Sequence, residues 1–370
     1  MAPTSPQKAR PYIGGQAVLE GVMMRAPCSF AVTVRRRDGT LHVRERPMKS
    51  DREGVRGWPF IRGMVSLVES LKLGSEALRF SADAMEQDLE PPANPGVSGV
   101  SGVSAVLRAS TLSVLALGTE SKAGGREGNA AFWFMLLLMV GLFIALPQGA
   151  AAGLNRILHL KLEVQSPGFQ LMTGALKLVI VVSYLLAIRR VGEIRRVFQY
   201  HGAEHKTITT YEANEPLTVP NARAKTTLHA RCGTTFIVMV ALVSIVVFTA
   251  VGGMLPRIQT GHAVLDNLVF FLEKLPFLPV IAGVTFELQR VFARYCTVGP
   301  LRALLWPGFV VQKITTIEPD DAQIEVALAS LRATLFRLEG MESSGSHEDV
   351  FFADYQAILD APRLRSVGKD

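Results

Sequence analysis

Residues 234 to 255 read TTFIVMVALVSIVVFTAVGGML, a run that holds no charged side chain and is long enough to cross a bilayer. Residues 130 to 146 form a second such run, which ends in FWFMLLLMVGLFIAL. A third run, residues 169 to 188, contains a single lysine, and a fourth, residues 264 to 288, is broken by charged residues and prolines. The fourth run is typical of a kinked span or a re-entrant segment. We therefore predict a mainly α, polytopic helical membrane protein with about four spans, or about three if the fourth run does not cross.

The composition agrees with a membrane protein. Of the 370 residues, 49% are hydrophobic, and the mean hydropathy is +0.27. Membrane orientation accounts for the formal net charge of +7, because the chain holds no basic motif interleaved with aromatic residues of the kind that binds nucleic acid. No secretory signal peptide is predicted before Tyr12. The three cysteines are odd in number and widely spaced, which indicates a reducing compartment.

The distribution of Lys and Arg predicts the orientation in the bilayer. The connection from Arg189 to Arg231 is rich in both, whereas residues 149 to 167 hold only Arg156 and Lys161. Positive loops remain on the cytoplasmic side, so the connection from Arg189 to Arg231 is expected to face the cytoplasm. With an even number of spans, both termini also lie inside, and the lipid bilayer is the expected partner.

The remaining segments predict a small cytosolic α/β portion. Residues 29 to 34 and 41 to 46 alternate around Asp38-Gly39, which indicates a β-hairpin. Apolar residues at helical spacing after Pro59 predict an amphipathic helix. Asp320 and Gln323 have the spacing of a capping box and open a helix that is expected to pack on this portion. We divide the chain into a cytosolic region 1–88, a linker with a short apolar helix 89–129, a membrane domain 130–300 with a cytosolic histidine loop 189–232, a cytosolic helix 301–340 and a tail 341–370 with a helical patch at 350–359.

Polar residues occur inside the apolar stretch from Gly14 to Arg25 and need partners if they are buried. In one interpretation Gln16, Glu20 and Arg25 share a pocket, where they bind substrate or orient metal ligands, because Gly14-Gly15 permits a close backbone approach. In the other, the stretch is a buried turn in which Glu20 and Arg25 form an ion pair. The sequence leaves both interpretations open.

The run YHGAEHK at residues 200–206 carries the strongest chemical signal. If the helix of residues 169 to 188 continues past Arg189, His201 and His205 lie one turn apart on an inward face. Imidazoles at that spacing can reach one ion at about 2.0–2.1 Å. The order His-x-x-Glu-His is that of the inverted zincins, in which Glu204 would act as general base. The alternative is a pair of interfacial histidines hydrogen-bonded near a helix end.

A catalytic zinc site takes three protein ligands and keeps one position open, so a third ligand is needed. His229 and Cys232 precede the run at 234 to 255, at the same membrane face, and Glu287 lies near the cytoplasmic end of the last apolar run. We rank His229 slightly above the other two. Lys206 and Arg231 adjoin the candidate ligands and would bind substrate or orient ligands.

Several segments together resemble the YqhQ-like bacterial membrane proteins. They are Gly14 to Arg25, Tyr200 to Lys206, His229 to Thr234, Pro307 to Gln312 and Glu318 to Ala327. The resemblance covers most of residues 12 to 335. It implies a metal-dependent enzyme of the bacterial cytoplasmic membrane and names no substrate or reaction. Ala230 stands where the family pattern has proline, which loosens the turn before Arg231 and removes no candidate ligand.

Two function hypotheses follow. The first is a metal-dependent hydrolase with zinc as cofactor. The second is a non-catalytic scaffold or regulatory protein, in which the histidines form a hydrogen-bonded core or a closed structural site made of His201, His205, His229 and Cys232. A transporter is disfavoured, because the predicted spans hold few charges and no inverted repeat is visible. Neither hypothesis predicts a particular protein partner, and a homo-oligomer remains open.

Overall fold

The computed structural model describes residues 11–48, 58–88, 145–256, 263–296, 299–339 and 348–365. The strands are β1 (Gly14–Val18), β2 (Gly21–Ala26), β3 (Ser29–Arg35), β4 (Leu41–Pro47) and β5 (Glu348–Phe352). The helices up to the second apolar span are α1 (Ile61–Gln87), α2 (Leu146–Ile157), α3 (Pro167–Ile188), α4 (Gly192–Glu212), α5 (Val219–Arg223) and α6 (Gly233–Val251). The later helices are α7 (Ala263–Lys274), α8 (Phe277–Tyr295), α9 (Trp306–Thr315), α10 (Asp321–Glu339), α11 (Tyr355–Asp360) and α12 (Pro362–Arg365). Short 3₁₀ helices cover Gly252–Met254 and Pro300–Leu305.

The five strands form one antiparallel sheet in the order β1-β2-β3-β4-β5. The predicted hairpin is present as β3 and β4, with Val32 opposite Arg44. The sheet is larger than that hairpin, because the segment from Gly14 to Arg25 forms β1 and β2. The tail adds β5 at the other edge, so the patch predicted as helical at 350–359 begins as a strand and is helical only from Tyr355, in α11.

The sheet lies between two helical layers. One face, which includes Val18 and Phe30, packs against Ala77 and Phe80 of α1. The opposite face packs against α4 and α10. The predicted capping box opens α10: the Gln323 amide N–H donates to Asp320 Oδ1 at 2.8 Å, and the Asp320 N–H donates to Gln323 Oε1 at 3.0 Å.

Two described helical segments are long and apolar enough to cross a membrane. They are Pro167–Ile188, with a mean hydropathy of 2.2, and Gly233–Met254, with 2.6. The segments Leu268–Lys274 and Phe277–Phe292 meet at 46° and qualify only as a pair, as a kinked span or re-entrant segment requires. All but the last two residues of the predicted span at 130 to 146 lie outside the described residues. The described part of the chain thus supports two spans, or three with the bent pair.

A break separates α3 from the histidine helix, so the two do not form the one continuous helix considered in the sequence analysis. Val191 has an extended conformation, with φ −73° and ψ 125°, and α4 begins at Gly192. The turn is closed by a hydrogen bond from the Val191 N–H to the Ile188 carbonyl, at 2.9 Å. Helix α4 therefore packs on the sheet and α10 as part of the α/β portion.

Candidate metal centre

Helix α4 presents His201, Glu204 and His205 at positions i, i+3 and i+4, which share one face of a helix. Gly202 lies against the segment that joins α9 to α10. A Cβ atom at this position would stand 2.2 Å from the Ile317 carbonyl oxygen. The Ile317 N–H donates to the Phe198 carbonyl at 2.9 Å and fixes the same contact. Only glycine allows α4 to approach this closely.

Cys232 is the N-cap of α6, and its sulfur accepts a hydrogen bond from the Thr234 N–H at 3.4 Å. This position brings the sulfur to the two histidines of α4. The ligand atoms of His201, His205 and Cys232 all lie within 4.8 Å of one another. His201 Nε2 is 3.2 Å from Cys232 Sγ, and the two imidazole rings are 4.5 Å apart. Two nitrogens and one sulfur therefore converge on one point.

Backbone carbonyls orient both rings. His201 Nδ1 lies 3.0 Å from the Thr315 carbonyl oxygen, and His205 Nδ1 lies 2.5 Å from that of Thr227. A carbonyl only accepts, so each Nδ1 carries a proton, and in the neutral form of each ring Nε2 has the lone pair that a metal needs. His205 Nε2 is buried without a hydrogen-bond partner among the described residues. These groups fit a bound metal ion, because imidazole and thiolate are the donors that zinc takes and a carbonyl on Nδ1 is the usual support of such a ligand.

The charges of the cluster are strongly coupled. Burial raises the pKa of the Cys232 thiol, but the imidazoles of His201 and His205 outweigh it and hold that pKa well below its usual value. Burial lowers the pKa of His201, yet the Cys232 sulfur more than compensates and raises it to about 9. Burial lowers the pKa of His205. Without metal the cluster therefore favours a thiolate beside an imidazolium, and the thiolate is the form of cysteine that binds metals.

Glu204 lies beside the cluster and is 5% exposed. Burial raises the pKa of its carboxyl to about 7. Within the described ranges, its Oε2 atom has no hydrogen-bond partner. Strand β1 passes directly over the carboxyl group: a Cβ atom at Gly15 would stand 2.8 Å from Glu204 Cδ. The close backbone approach expected of the glycine pair thus occurs at Gly15 and covers Glu204.

His229 is a neighbour of the cluster with partners of its own. Its ring is 5.6 Å from that of His205, and its Nε2 is 3.3 Å from Glu212 Oε2. Arg231 also pairs with Glu212, and its guanidinium stacks over the Tyr12 ring at 4.9 Å. The Glu212 carboxylate thus holds His229 and Arg231 at the edge of the site.

Glu287 lies outside the cluster and forms an ion pair with Arg62. Its carboxylate accepts two hydrogen bonds from Arg62, at 2.7 and 2.5 Å, and one from the Phe60 N–H at 3.3 Å. Among the described residues, the group that converges on one point is His201, His205 and Cys232, without Glu287. The contact joins the start of α1 to α8.

Lys206 is 2% exposed and has partners outside the cluster. Its ammonium group donates to the carbonyls of Arg223 and Lys225, at 2.8 and 2.6 Å, and pairs with Glu318 at 2.6 Å. These contacts hold the connection between α5 and α6 against α4. The side chain therefore orients the loop that carries the Thr227 carbonyl.

The three polar residues of the β1–β2 hairpin point in different directions. Gln16 lies against Gly74 of α1, on the face of β1 opposite to Gly15. Glu20 pairs with Arg196 and accepts a hydrogen bond from the Tyr200 hydroxyl at 3.1 Å. Arg25 pairs with Glu69 at 3.4 Å and donates to Ser70 at 3.0 Å. The structure thus separates these side chains, and Glu20 and Arg25 each have another partner.

Sequence reasoning missed the groups that hold the site together. Gln312 of α9 accepts a hydrogen bond from the His229 N–H at 2.9 Å and donates to the His229 carbonyl at 2.7 Å and to Thr235 Oγ1 at 2.5 Å. The available sequence signal was an amide within an apolar stretch, and the structure buries Gln312 completely. No sequence signal marks the carbonyls of Thr227 and Thr315, because every residue type has one.

Comparisons with known proteins identify the family. The model of the family described as "Protein of unknown function (DUF1385)" matches residues 58–337. The chain is 30% identical over 345 residues to "Uncharacterized protein YqhQ" of Bacillus subtilis (strain 168), covering 91% of this chain and 96% of that protein. No solved structure matches. The family model covers more than half of the chain, so the chain belongs to the DUF1385 family.

Proposed function

We propose that this protein is a metal-dependent hydrolase of the bacterial cytoplasmic membrane, with zinc held by His201, His205 and Cys232. The observation that carries the proposal is the convergence of these three ligand atoms within 4.8 Å. Three protein ligands leave a fourth position for a reacting group, as in catalytic zinc sites. A zinc ion held there would supply Lewis-acid polarisation of a substrate carbonyl or phosphoryl group.

Glu204 supplies the acid–base chemistry in this proposal. A carboxyl group whose pKa is about 7 can both accept and release a proton near neutral pH. It takes the proton of the water that adds to the substrate and passes it to the leaving group. Gly15 closes one side of the carboxyl, so Glu204 is held in place with Oε2 free of other described partners.

The site lies at the edge of the candidate spans, because Cys232 immediately precedes α6. The loop richest in Lys and Arg carries this site, and we assign it to the cytoplasmic face. Substrates that reach such a site are soluble molecules of the cytoplasm or the headgroup region of membrane lipids and proteins.

An open site is favoured over a closed structural site by the contacts of His229. In the described part of the chain, neither ring nitrogen of His229 converges with the three ligand atoms, and its Nε2 is paired with Glu212 at 3.3 Å. A closed site that includes His229 would require its ring to move towards the cluster. The closed-site form of the scaffold hypothesis therefore requires a rearrangement that the hydrolase hypothesis does not.

Metal content is the first test. We expect near-stoichiometric zinc in the detergent-purified protein and its loss when His201 and His205 are both replaced by Ala. His159→Asn is the matched control, because His159 belongs to the connection before α3 and has φ 50°, which Asn tolerates. The proposal would be refuted by equal zinc in the wild type, the double Ala variant and His159→Asn. It would also be refuted if none of the three contained zinc after purification with added zinc.

Cobalt substitution tests the open position. In the cobalt protein we expect a thiolate charge-transfer band that disappears in Cys232→Ser, and ligand-field bands that change when thiocyanate is added. A cobalt spectrum that does not change when thiocyanate is added would indicate four protein ligands and favour the scaffold hypothesis. Glu204→Gln should keep the metal and lose turnover in a screen of ester, peptide and phosphoester substrates; loss of the metal in this variant would make Glu204 a ligand.

A second candidate function is nucleophilic thiol chemistry without a metal. The 3.2 Å contact between His201 Nε2 and Cys232 Sγ favours it, because such a pair at a helix N-terminus generates a reactive thiolate. Rapid alkylation of Cys232 by iodoacetamide in a protein that binds no zinc would support this candidate. Alkylation blocked by zinc would support the hydrolase.

A further inference from the structure

A groove of about 340 Å³ lies beside the loop that holds the cluster. It is formed by the 3₁₀ helix Pro300–Leu305, by α9 and by the end of the loop before α6. The residues that define it are Leu228, Arg302, Trp306, Phe309, Val310 and Lys313. Its volume lies within the range of small-ligand sites, and it has both apolar walls and cationic side chains.

The groove lies at the level where the candidate spans begin and end. Helix α9 packs on the first turn of α6, where a Cβ atom at Gly308 would stand 2.5 Å from Thr235 Cγ2. At the other side, Arg189, the residue after α3, donates to the Lys313 carbonyl at 2.9 Å. Helix α9 thus touches one end of each span, and both ends mark the boundary between membrane and water.

The surface around the groove is apolar and exposed. Trp306 is 66% exposed, Leu301 53% and Leu304 46%. Large apolar side chains so exposed at a membrane boundary are expected to contact lipid, and Trp is enriched at that depth. We therefore expect a bilayer to cover these residues at its interface.

The positive charge of the groove favours an anionic headgroup. The Arg302 guanidinium lies 5.7 Å from the centre of the Phe309 ring, and Lys313 is exposed at the opposite end of α9. Among the described residues, neither cation has an ion-pair partner, and no acidic side chain lines the groove. An anion with an apolar tail would pair with the cations and pack against the aromatic walls.

We propose that this groove binds the phosphate headgroup of an anionic phospholipid, with Arg302 and Lys313 at the phosphate and Trp306 and Phe309 against the upper part of the acyl chains. The residues of the groove are distinct from the proposed metal ligands. The groove adjoins the cluster, because Leu228 follows Thr227, whose carbonyl orients His205. A lipid headgroup in the groove would therefore lie next to the metal centre.

Quenching of Trp306 fluorescence by brominated lipids tests the proposal. The chain has three tryptophans, so Trp58 and Trp133 are replaced by Phe to leave Trp306 as the only reporter. The full-length protein is placed in nanodiscs that contain a small fraction of brominated phosphatidylglycerol or brominated phosphatidylcholine in an unlabelled phosphatidylcholine background. At about 1 kcal/mol for each cation, we expect an enrichment of phosphatidylglycerol at Trp306 of about thirtyfold.

The double variant Arg302→Gln and Lys313→Gln should reduce the enrichment to near unity. Arg294→Gln is the matched control, because Arg294 stacks on Tyr295 at 5.4 Å outside the groove and its loss should leave the enrichment unchanged. Equal quenching by the two lipids, or a preference that survives the double variant, would overturn the proposal. Relief of quenching by soluble glycerol phosphate would overturn the lipid assignment and make the groove a site for a soluble phosphate ester. The readout involves neither metal nor turnover, so its outcome is independent of the proposed hydrolase.

Discussion

Replacing Gly15 with Ala should disturb Glu204 and leave the rest of the sheet intact. The added Cβ would stand 2.8 Å from Glu204 Cδ, Cγ and Oε1. Carbon atoms in good contact are about 3.5 Å apart or more, so the buried carboxyl group must retreat by about 0.7 Å. Overpacking of this kind costs about 1–3 kcal/mol in the free energy of unfolding, against which the lower entropy of the unfolded chain offsets about 0.4–1 kcal/mol.

Gly14→Ala provides the matched control. A Cβ atom at Gly14 would meet Tyr12 Cε1 at 3.6 Å, which is an ordinary contact. We therefore expect the melting temperature in detergent to fall in Gly15→Ala and to stay level or rise slightly in Gly14→Ala. The first variant should also lose turnover while retaining zinc, because the ligands are on α4 and α6 and only the Glu204 carboxyl moves.

The reasoning would be refuted by two equal melting temperatures together with equal turnover. That result would mean that Glu204 is not held against β1, and the assignment of an acid–base role to a fixed carboxyl would lose its structural basis. Loss of zinc in Gly15→Ala would give a different correction, since it would place Glu204 among the ligands.

Three further predictions concern the same region. Glu204→Gln should raise the melting temperature of the metal-free protein more at about pH 8 than at about pH 5. The Glu204 carboxyl has a pKa of about 7 in the folded protein instead of the usual 4.5, so its ionisation lowers the stability of the wild type as the pH rises through that interval. An equal gain at both pH values would contradict the burial of this charge. Gln312→Leu should weaken zinc binding about 10–100-fold in a competition with a chelator, because three hydrogen bonds to the loop and to α6 are lost; unchanged affinity would show that the loop is held by other contacts. Gly202→Ala should abolish the yield of folded protein in gel filtration, since its Cβ would meet the Ile317 carbonyl at 2.2 Å, whereas Gly192→Ala, which has open space, should fold; equal yields would contradict the close packing of α4.

Local chemistry explains which parts of the fold the sequence predicted. The capping box at Asp320 and Gln323 involves residues three apart, and the β3–β4 hairpin depends on the turn at Asp38-Gly39. Strand β5 could not be predicted in the same way, because it pairs with β4 across about 300 residues of chain. Strand β1 was also missed, since glycine at its start is a poor strand former and the pairing with β2 stabilises it.

The same distinction applies to the site. The spacing of His201 and His205 is a property of one helix, so it could be predicted from the sequence. The position of Cys232 at the start of an apolar run could be predicted in the same way. Which of the candidates joins them depends on the loop and on α9, which the sequence does not place. Glu287 looked functional because an ionisable residue at the end of an apolar run needs a partner, and the structure supplies that partner as Arg62, from a helix far away in sequence.

Cys232 connects the candidate metal centre to a candidate membrane span, because the sulfur that would bind the metal also caps α6. Gln312 joins this first turn to α9, where the proposed lipid groove lies, through its hydrogen bond to Thr235. If an anionic headgroup fixes α9, it also fixes Gln312 and the loop that orients His205, so the two sites are expected to be coupled. Release of cobalt to a chelator should then be slower in phosphatidylglycerol than in phosphatidylcholine nanodiscs by a factor of about five or more, and variants without Arg302 and Lys313 should lose this difference. Identical release rates in both lipids would mean that the two sites act independently, even if each exists.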